Sequence, residues 1–166
     1  AADAGPHISA EDDWGETSLA GESTFVPLPE RVARLLLAYL RPGDVIVYSA
    51  PIYGGSDYLI RNILPEYGVS CVEFESGFDE LTLAPALEQA LPMGRVSVIY
   101  VETPATPTNG LVDLRECARL ADELAAKQNG HRPLVVVDNT FLGPVWQQAL
   151  KHGADISVYS LTKCVA

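Results

Sequence analysis

Three short runs constrain this chain more than any other feature: Asp44-Val-Ile-Val-Tyr-Ser-Ala50, Val96-Ser-Val-Ile-Tyr-Val101 and Leu134-Val-Val-Val137. Each is strand length and nearly all apolar, with no alternation, as expected of a strand buried on both faces of a sheet. Strands of that kind run parallel, with helices packed above and below them. The segments between supply the helices. After Pro29, which suits a first helical turn, Val32, Leu35, Leu36 and Tyr39 recur at helical spacing until Pro42-Gly43 stops them. Residues 54–64 read as a helix ending before Pro65, 69–74 as a strand, and 82–91 as a helix that tolerates Pro85 near its start. Asp113 caps a longer helix whose Leu114, Cys117, Ala118, Ala121, Leu124 and Ala125 share one face, and Gly130 closes it. Residues 144–152 read as a helix ending at Gly153, and 155–159 as the last strand. Strand and helix alternate at βαβ spacing. The expected fold is therefore α/β, a mostly parallel sheet with helices on both faces, forming one domain over residues 29–166.

Charge narrows the function. The formal net charge is −11, and seven of the 22 acids lie within residues 1–30, which hold no Lys or Arg. Residues 1–28 read as an acidic, irregular segment: a solvated tail or mobile arm, or else a partner-binding stretch. An acidic chain without a basic stripe repels phosphodiester backbones, so no nucleic-acid partner is expected. No apolar run approaches the roughly 20 residues of a membrane span, and no secretory leader is visible. Cys71, Cys117 and Cys164 form no CxxC pair and no metal-ligand spacing, which argues against a metal site and for a reduced, cytoplasmic protein. No GxGxxG or GxxxxGK[ST] follows any of these strands, which counts against a nucleotide-binding domain.

In open parallel sheets, ligands sit beyond the carboxyl ends of the strands. Four consecutive strand ends carry polar or glycine-rich turns here: residues 50–56, 102–107, 138–140 and 160–163. Asp138, directly after Val135-Val-Val137, either caps the next turn or holds a cation such as a protonated ring nitrogen. Lys163 is one of three lysines; Lys127 and Lys151 fall near helix ends, whereas Lys163 follows a strand and a Ser-x-Thr turn. It is a surface cation or an imine-forming amine. Ser160 and Thr162 flank it with hydroxyls able to bind phosphate oxygens or to cap a helix. Tyr53, before two glycines, is a packed turn aromatic or the wall of a flat ligand. Pyridoxal 5'-phosphate (PLP) needs an imine-forming lysine, a carboxylate at its ring nitrogen, phosphate donors and a wall. All four occur together.

These residues also carry a resemblance. The run Val-Val-Val-Asp138-Asn-Thr-Phe, followed by His152-Gly-Ala-Asp-Ile-Ser-Val-Tyr-Ser160-Leu-Thr-Lys163, resembles the signature of the Cys/Met-metabolism PLP enzymes. That family includes cystathionine γ-synthase, cystathionine γ- and β-lyases, methionine γ-lyase and O-acylhomoserine sulfhydrylases. Arg41-Pro-Gly-Asp44, Tyr53-Gly-Gly-Ser56 and Glu102-Thr-Pro-x-x-Pro107 resemble further family segments in the same order. The resemblance implies the large domain of a PLP-dependent aminotransferase-like (fold type I) protein. It implies Lys163 as the Schiff-base lysine and proton carrier, Asp138 at the ring nitrogen, Tyr53 stacked on the ring and aiding proton transfer, and Ser160 and Thr162 on the phosphate. Elimination at the γ- or β-carbon of a methionine- or cystathionine-like amino acid follows, with γ-replacement as the alternative, in a homotetramer built as a dimer of dimers.

The chain also departs from that pattern. Thr106 stands where the family usually has an Asn that contacts the cofactor's phenolic oxygen. Gly55 does not match the Cys of many methionine γ-lyases. The segments that flank the family's phosphate loop, resembling residues 30–35 and 36–43, abut here. The Tyr-x-Arg segment that reaches a neighbouring subunit's phosphate is unrecognisable. Three residues follow Lys163, so the C-terminal domain with its carboxylate-binding arginine is missing, and an incomplete chain is expected. A non-catalytic PLP-fold fragment is the second reading, which the retained Asp138 and Lys163 oppose.

Overall fold

The computed structural model describes residues 30–77, 82–160 and 163. The acidic segment 1–28, Pro29, Thr162 and Cys164 lie outside them. Five parallel strands form one sheet in the order β2-β1-β3-β4-β5: β1 is Asp44–Ala50, β2 Ser70–Glu75, β3 Arg95–Glu102, β4 Leu134–Asp138 and β5 Ile156–Val158. The expected parallel α/β architecture is what forms.

The apolar runs are buried because helices cover both faces. On one face, Ile46, Tyr48, Val98, Tyr100 and Val136 pack under α1 (Glu30–Tyr39) and under the helical stretch that begins with α2 (Gly54–Tyr58). On the other, Val45, Val47, Ile99, Val101, Val135 and Val137 pack under α3 (Leu83–Ala90) and α4 (Leu114–Lys127). Each large aliphatic side chain so buried contributes about 1.5–3 kcal/mol. Asp113 caps α4 as its position predicts, its Oδ1 accepting the N–H groups of Arg115 at 2.8 Å and Glu116 at 3.4 Å. Gly130, at φ +86°, donates back to the Ala125 carbonyl.

Three boundaries differ from the sequence reading. The helix after β1 does not end before Pro65; it widens to a π-turn over Leu59–Ile63 and tightens to a 3-10 turn over Leu64–Tyr67. Pro65 sits in that turn's first positions, where its missing N–H is not needed, and Gly68 ends it at φ +75°. The expected helix 144–152 is instead α5 (Gly143–Trp146) and a separate 3-10 turn, Ala149–His152. Asn139 causes the break: its buried amide donates to the Gly143 and Gln147 carbonyls, and Gln147 returns a bond to Asn139 Oδ1. β5 (Ile156–Val158) is shorter than 155–159; just before it the Asp155 carboxylate accepts the Val135 N–H at 2.7 Å and pairs with Arg132.

The chain leaves β1 toward β2 on one side, then crosses to β3 on the other. This reversal sends the connections at the carboxyl ends of β1 and β3 to opposite sides, the switch point where open α/β sheets bind ligands.

Candidate cofactor site at the strand ends

Asp138 ends β4 opposite Glu102 of β3, and both side chains lie on the face that holds Tyr100 and Val136. Its carboxylate is held by neutral donors. Thr140 bonds Oδ1 twice, through its N–H at 3.1 Å and its hydroxyl at 2.5 Å, and the fully buried Tyr100 hydroxyl donates to Oδ2 at 3.4 Å. Burial pushes the Asp138 pKa up, and these donors hold it partly back. Among the described residues no cation forms an ion pair with it. A half-buried carboxylate in this state is a place for a cationic ligand atom.

Thr140 then joins Asp138 to the last turn. Its Oγ1 accepts the Ser160 N–H at 2.9 Å, and the Ser160 carbonyl accepts the Lys163 N–H at 3.1 Å. Three hydrogen bonds thus connect the acid to the backbone of the exposed Lys163. Ser160 itself is half-buried beside this path.

Tyr53 follows β1. Its N–H is fixed by Glu102 Oε2 at 2.8 Å, and its carbonyl accepts the N–H groups of Ser56 and Asp57 in the first turn of α2. Tyr53 is 39% exposed, which leaves an aromatic surface open at this end of the sheet. Thr106, in the loop after β3, is half-buried; its N–H donates to Glu102 Oε1 at 2.8 Å and its hydroxyl also serves that carboxylate. The structure therefore brings Tyr53, Thr106, Asp138, Ser160 and Lys163 to one end of the sheet. Thr162 lies outside the described residues.

Sequence reasoning gave no role to Tyr100, nor to Glu102 and Thr140 within the strand-end turns it singled out. Tyr100 looked like core because its ring is core; only its hydroxyl reaches the site. Glu102 had the same signal as Asp138, a carboxylate closing an apolar strand. A cleft of about 510 Å³ opens elsewhere, between the β1 and β2 ends, where Arg61 is engaged by Asp57 and Glu73. None of the candidate residues lines it.

A parallel α/β sheet with a cation-seeking carboxylate, a lysine turn and an aromatic at its carboxyl ends has the parts of a PLP-binding domain. This chain belongs to the Cys/Met metabolism PLP-dependent enzyme family, whose model matches residues 31–166. It is 33% identical to human cystathionine γ-lyase over 125 residues, 75% of this chain and 28% of that relative. A methionine γ-lyase structure from Micromonospora echinospora superposes with a TM-score of 0.64 at 34% identity, covering 80% of this chain and 32% of that one. A putative O-acetylhomoserine (thiol)-lyase from Campylobacter jejuni, which carries a pyridoxyl-lysine monophosphate, gives 0.64 at 28% identity over 76% and 28%. The chain thus spans about a third of the length of these relatives.

The residues fit PLP. The half-buried Asp138 carboxylate, with neutral donors only, is the group here whose chemistry suits a cationic ring nitrogen. Among the described residues no helix is long and apolar enough to cross a membrane, and no group of three His, Cys, Asp or Glu is arranged to hold a metal.

Proposed function

We propose that the protein containing this chain is a PLP-dependent enzyme of sulfur amino-acid metabolism that eliminates at the γ- or β-carbon of a methionine- or cystathionine-like substrate. Bound PLP supplies an electron sink for the pair left when the substrate's α-proton departs. Asp138 keeps the ring nitrogen protonated through charge. Lys163 Nζ is the amine that would hold the cofactor's aldehyde and, once the substrate's amino group had displaced it, would be free to move the proton at the substrate α-carbon. Tyr53 walls the ring and passes a proton near the leaving group, while Ser160 and Thr162 bind phosphate oxygens. Thr106 lies in the loop beside them. The observation that supports this most is Asp138, a largely buried carboxylate with neutral donors only, joined through Thr140 and Ser160 to the Lys163 turn.

The resemblance extends the reading to a homotetramer, a dimer of dimers, with a small-molecule amino-acid substrate; cysteine usage supports a cytoplasmic protein, and the acidic charge and short apolar runs support no nucleic-acid or membrane partner. γ-Replacement is the alternative, favoured by the likeness to the (thiol)-lyase structure. The test is to incubate the intact protein with PLP and, separately, with methionine, cystathionine and an O-acylhomoserine plus thiol. Release of a 2-oxo acid and ammonia from the first two supports elimination. Consumption of the third pair without oxo acid supports replacement, and no turnover of any contradicts the enzyme reading.

A further inference from the structure

Glu102 ends β3 at the switch point where the connections from β1 and β3 part, and only 3% of it is exposed. A buried carboxylate loses its hydration and must recover that loss from donors. Glu102 recovers part of it from two separate loops, though burial still holds its pKa up. Oε2 accepts the Tyr53 N–H of the β1–α2 turn, and Oε1 accepts the Thr106 N–H of the β3–α4 loop, each at 2.8 Å. No arginine, lysine or histidine pairs with it among the described residues. Its own N–H donates to Ser49 Oγ of β1 at 3.0 Å, which fixes the strand end from which the side chain projects.

We infer that Glu102 is a positioning residue, a two-oxygen clamp that sets the Tyr53 backbone and the Thr106 loop against each other and against Asp138. Resting on the proposed function, the clamp fixes the distance between the aromatic wall and the acid, because Glu102 and Asp138 are register partners on adjacent strands. Both anchors are rigid from the other side as well. The Tyr53 carbonyl is held by the first turn of α2, and the Thr106 loop is closed by the Ala105 N–H donating to the Gly110 carbonyl at 2.9 Å and the Asn109 N–H to the Ala105 carbonyl at 2.7 Å. A carboxylate is the side chain that suits two converging N–H donors, since both of its oxygens accept and neither donates. An amide of the same shape can accept one N–H but turns its own NH₂ toward the other.

The test is residue-resolved hydrogen exchange on the intact protein, comparing wild type with Glu102→Gln. Hydrogen bonds to a charged acceptor are strong, so the Tyr53 and Thr106 amides should together exchange roughly tenfold faster or more in the variant. The amides of β3 and β4 should keep their protection, which a general loss of stability would not allow. PLP affinity, read by titration of the cofactor's absorbance, should fall in parallel. If Glu102→Gln does not fold, Glu102→Asp replaces it: the shortened carboxylate reaches at most one donor, so one of the two amides loses protection. Unchanged exchange at both amides in a folded variant overturns the clamp. Faster exchange with unaltered PLP affinity overturns its positioning role. Failure of wild type to take up PLP defeats the proposed function, while the exchange result still decides the clamp.

Discussion

Replacing Tyr100 by Phe removes one oxygen from the site and nothing else. The ring is fully buried and Phe keeps its volume, so no cavity opens and the packing against Ile46, Val98 and Val136 survives. What disappears is the hydroxyl donated to Asp138 Oδ2 at 3.4 Å. A hydrogen bond to a charged acceptor contributes about 1.5–3 kcal/mol at good geometry, and this long one falls below that range, at about 1 kcal/mol. With a urea slope of about 2 kcal/mol/M, the unfolding midpoint of the cofactor-free protein should drop by roughly 0.5 M near neutral pH. The sign of the pH dependence follows from the charge. Tyr100 favours the ionised form of Asp138, so its loss costs most where Asp138 is ionised and least below the Asp138 titration. Urea curves on both sides of that titration measure this directly. A penalty equal at both pH values, or absent at neutral pH, would refute a bond to the carboxylate. The buried Ser56 hydroxyl faces the Tyr100 hydroxyl and loses that polar neighbour in the variant.

Asp138→Asn keeps the shape and an acceptor for Thr140 while removing a charge whose pKa burial has raised. A carboxyl raised in the folded state favours folding in acid and loses that contribution as pH climbs through the folded value. The Asn variant should therefore gain on wild type in urea stability as pH rises, while binding PLP roughly a hundredfold more weakly; a deficit that grows with pH would contradict this. Gly153→Ala meets two obstacles, a φ of +99° and a new Cβ placed 2.5 Å from Ala118 Cβ, so thermal unfolding should show a loss of about 1–3 kcal/mol. Asp113→Ala removes the cap of α4 and should cost about 1 kcal/mol in the same assay, with the site's PLP affinity unmoved.

The sheet was readable before any coordinates because its central strands are apolar on both faces, a pattern that a helix-covered parallel strand produces and a solvated one cannot. Asp138 was readable because a charge at the rim of such a strand stands out. Lys163 was singled out among three lysines by what surrounds it. The losses have one cause, long-range bonding. Nothing local in residues 144–152 announces that Asn139 will draw off the carbonyls of Gly143 and Gln147 and break the helix. Likewise the buried Gln128 amide serves both the N–H and the carbonyl of Val96, where the β1–β3 register shifts. Thr106 reads in sequence as a substitute for an Asn directed at the cofactor; in the fold its N–H and hydroxyl face Glu102. Tyr100 and Glu102 enter the site only once strand register puts their polar atoms beside Asp138 and Tyr53.

The central claim is that these strand ends hold PLP through Lys163. Borohydride reduction of the PLP-treated intact protein, followed by digestion and peptide mass mapping, tests it most directly. The account predicts a pyridoxyl-phosphate mass addition on the peptide bearing Lys163, absent in Lys163→Ala. An addition on Lys127 or Lys151 alone, or none at all in a folded sample, would contradict it.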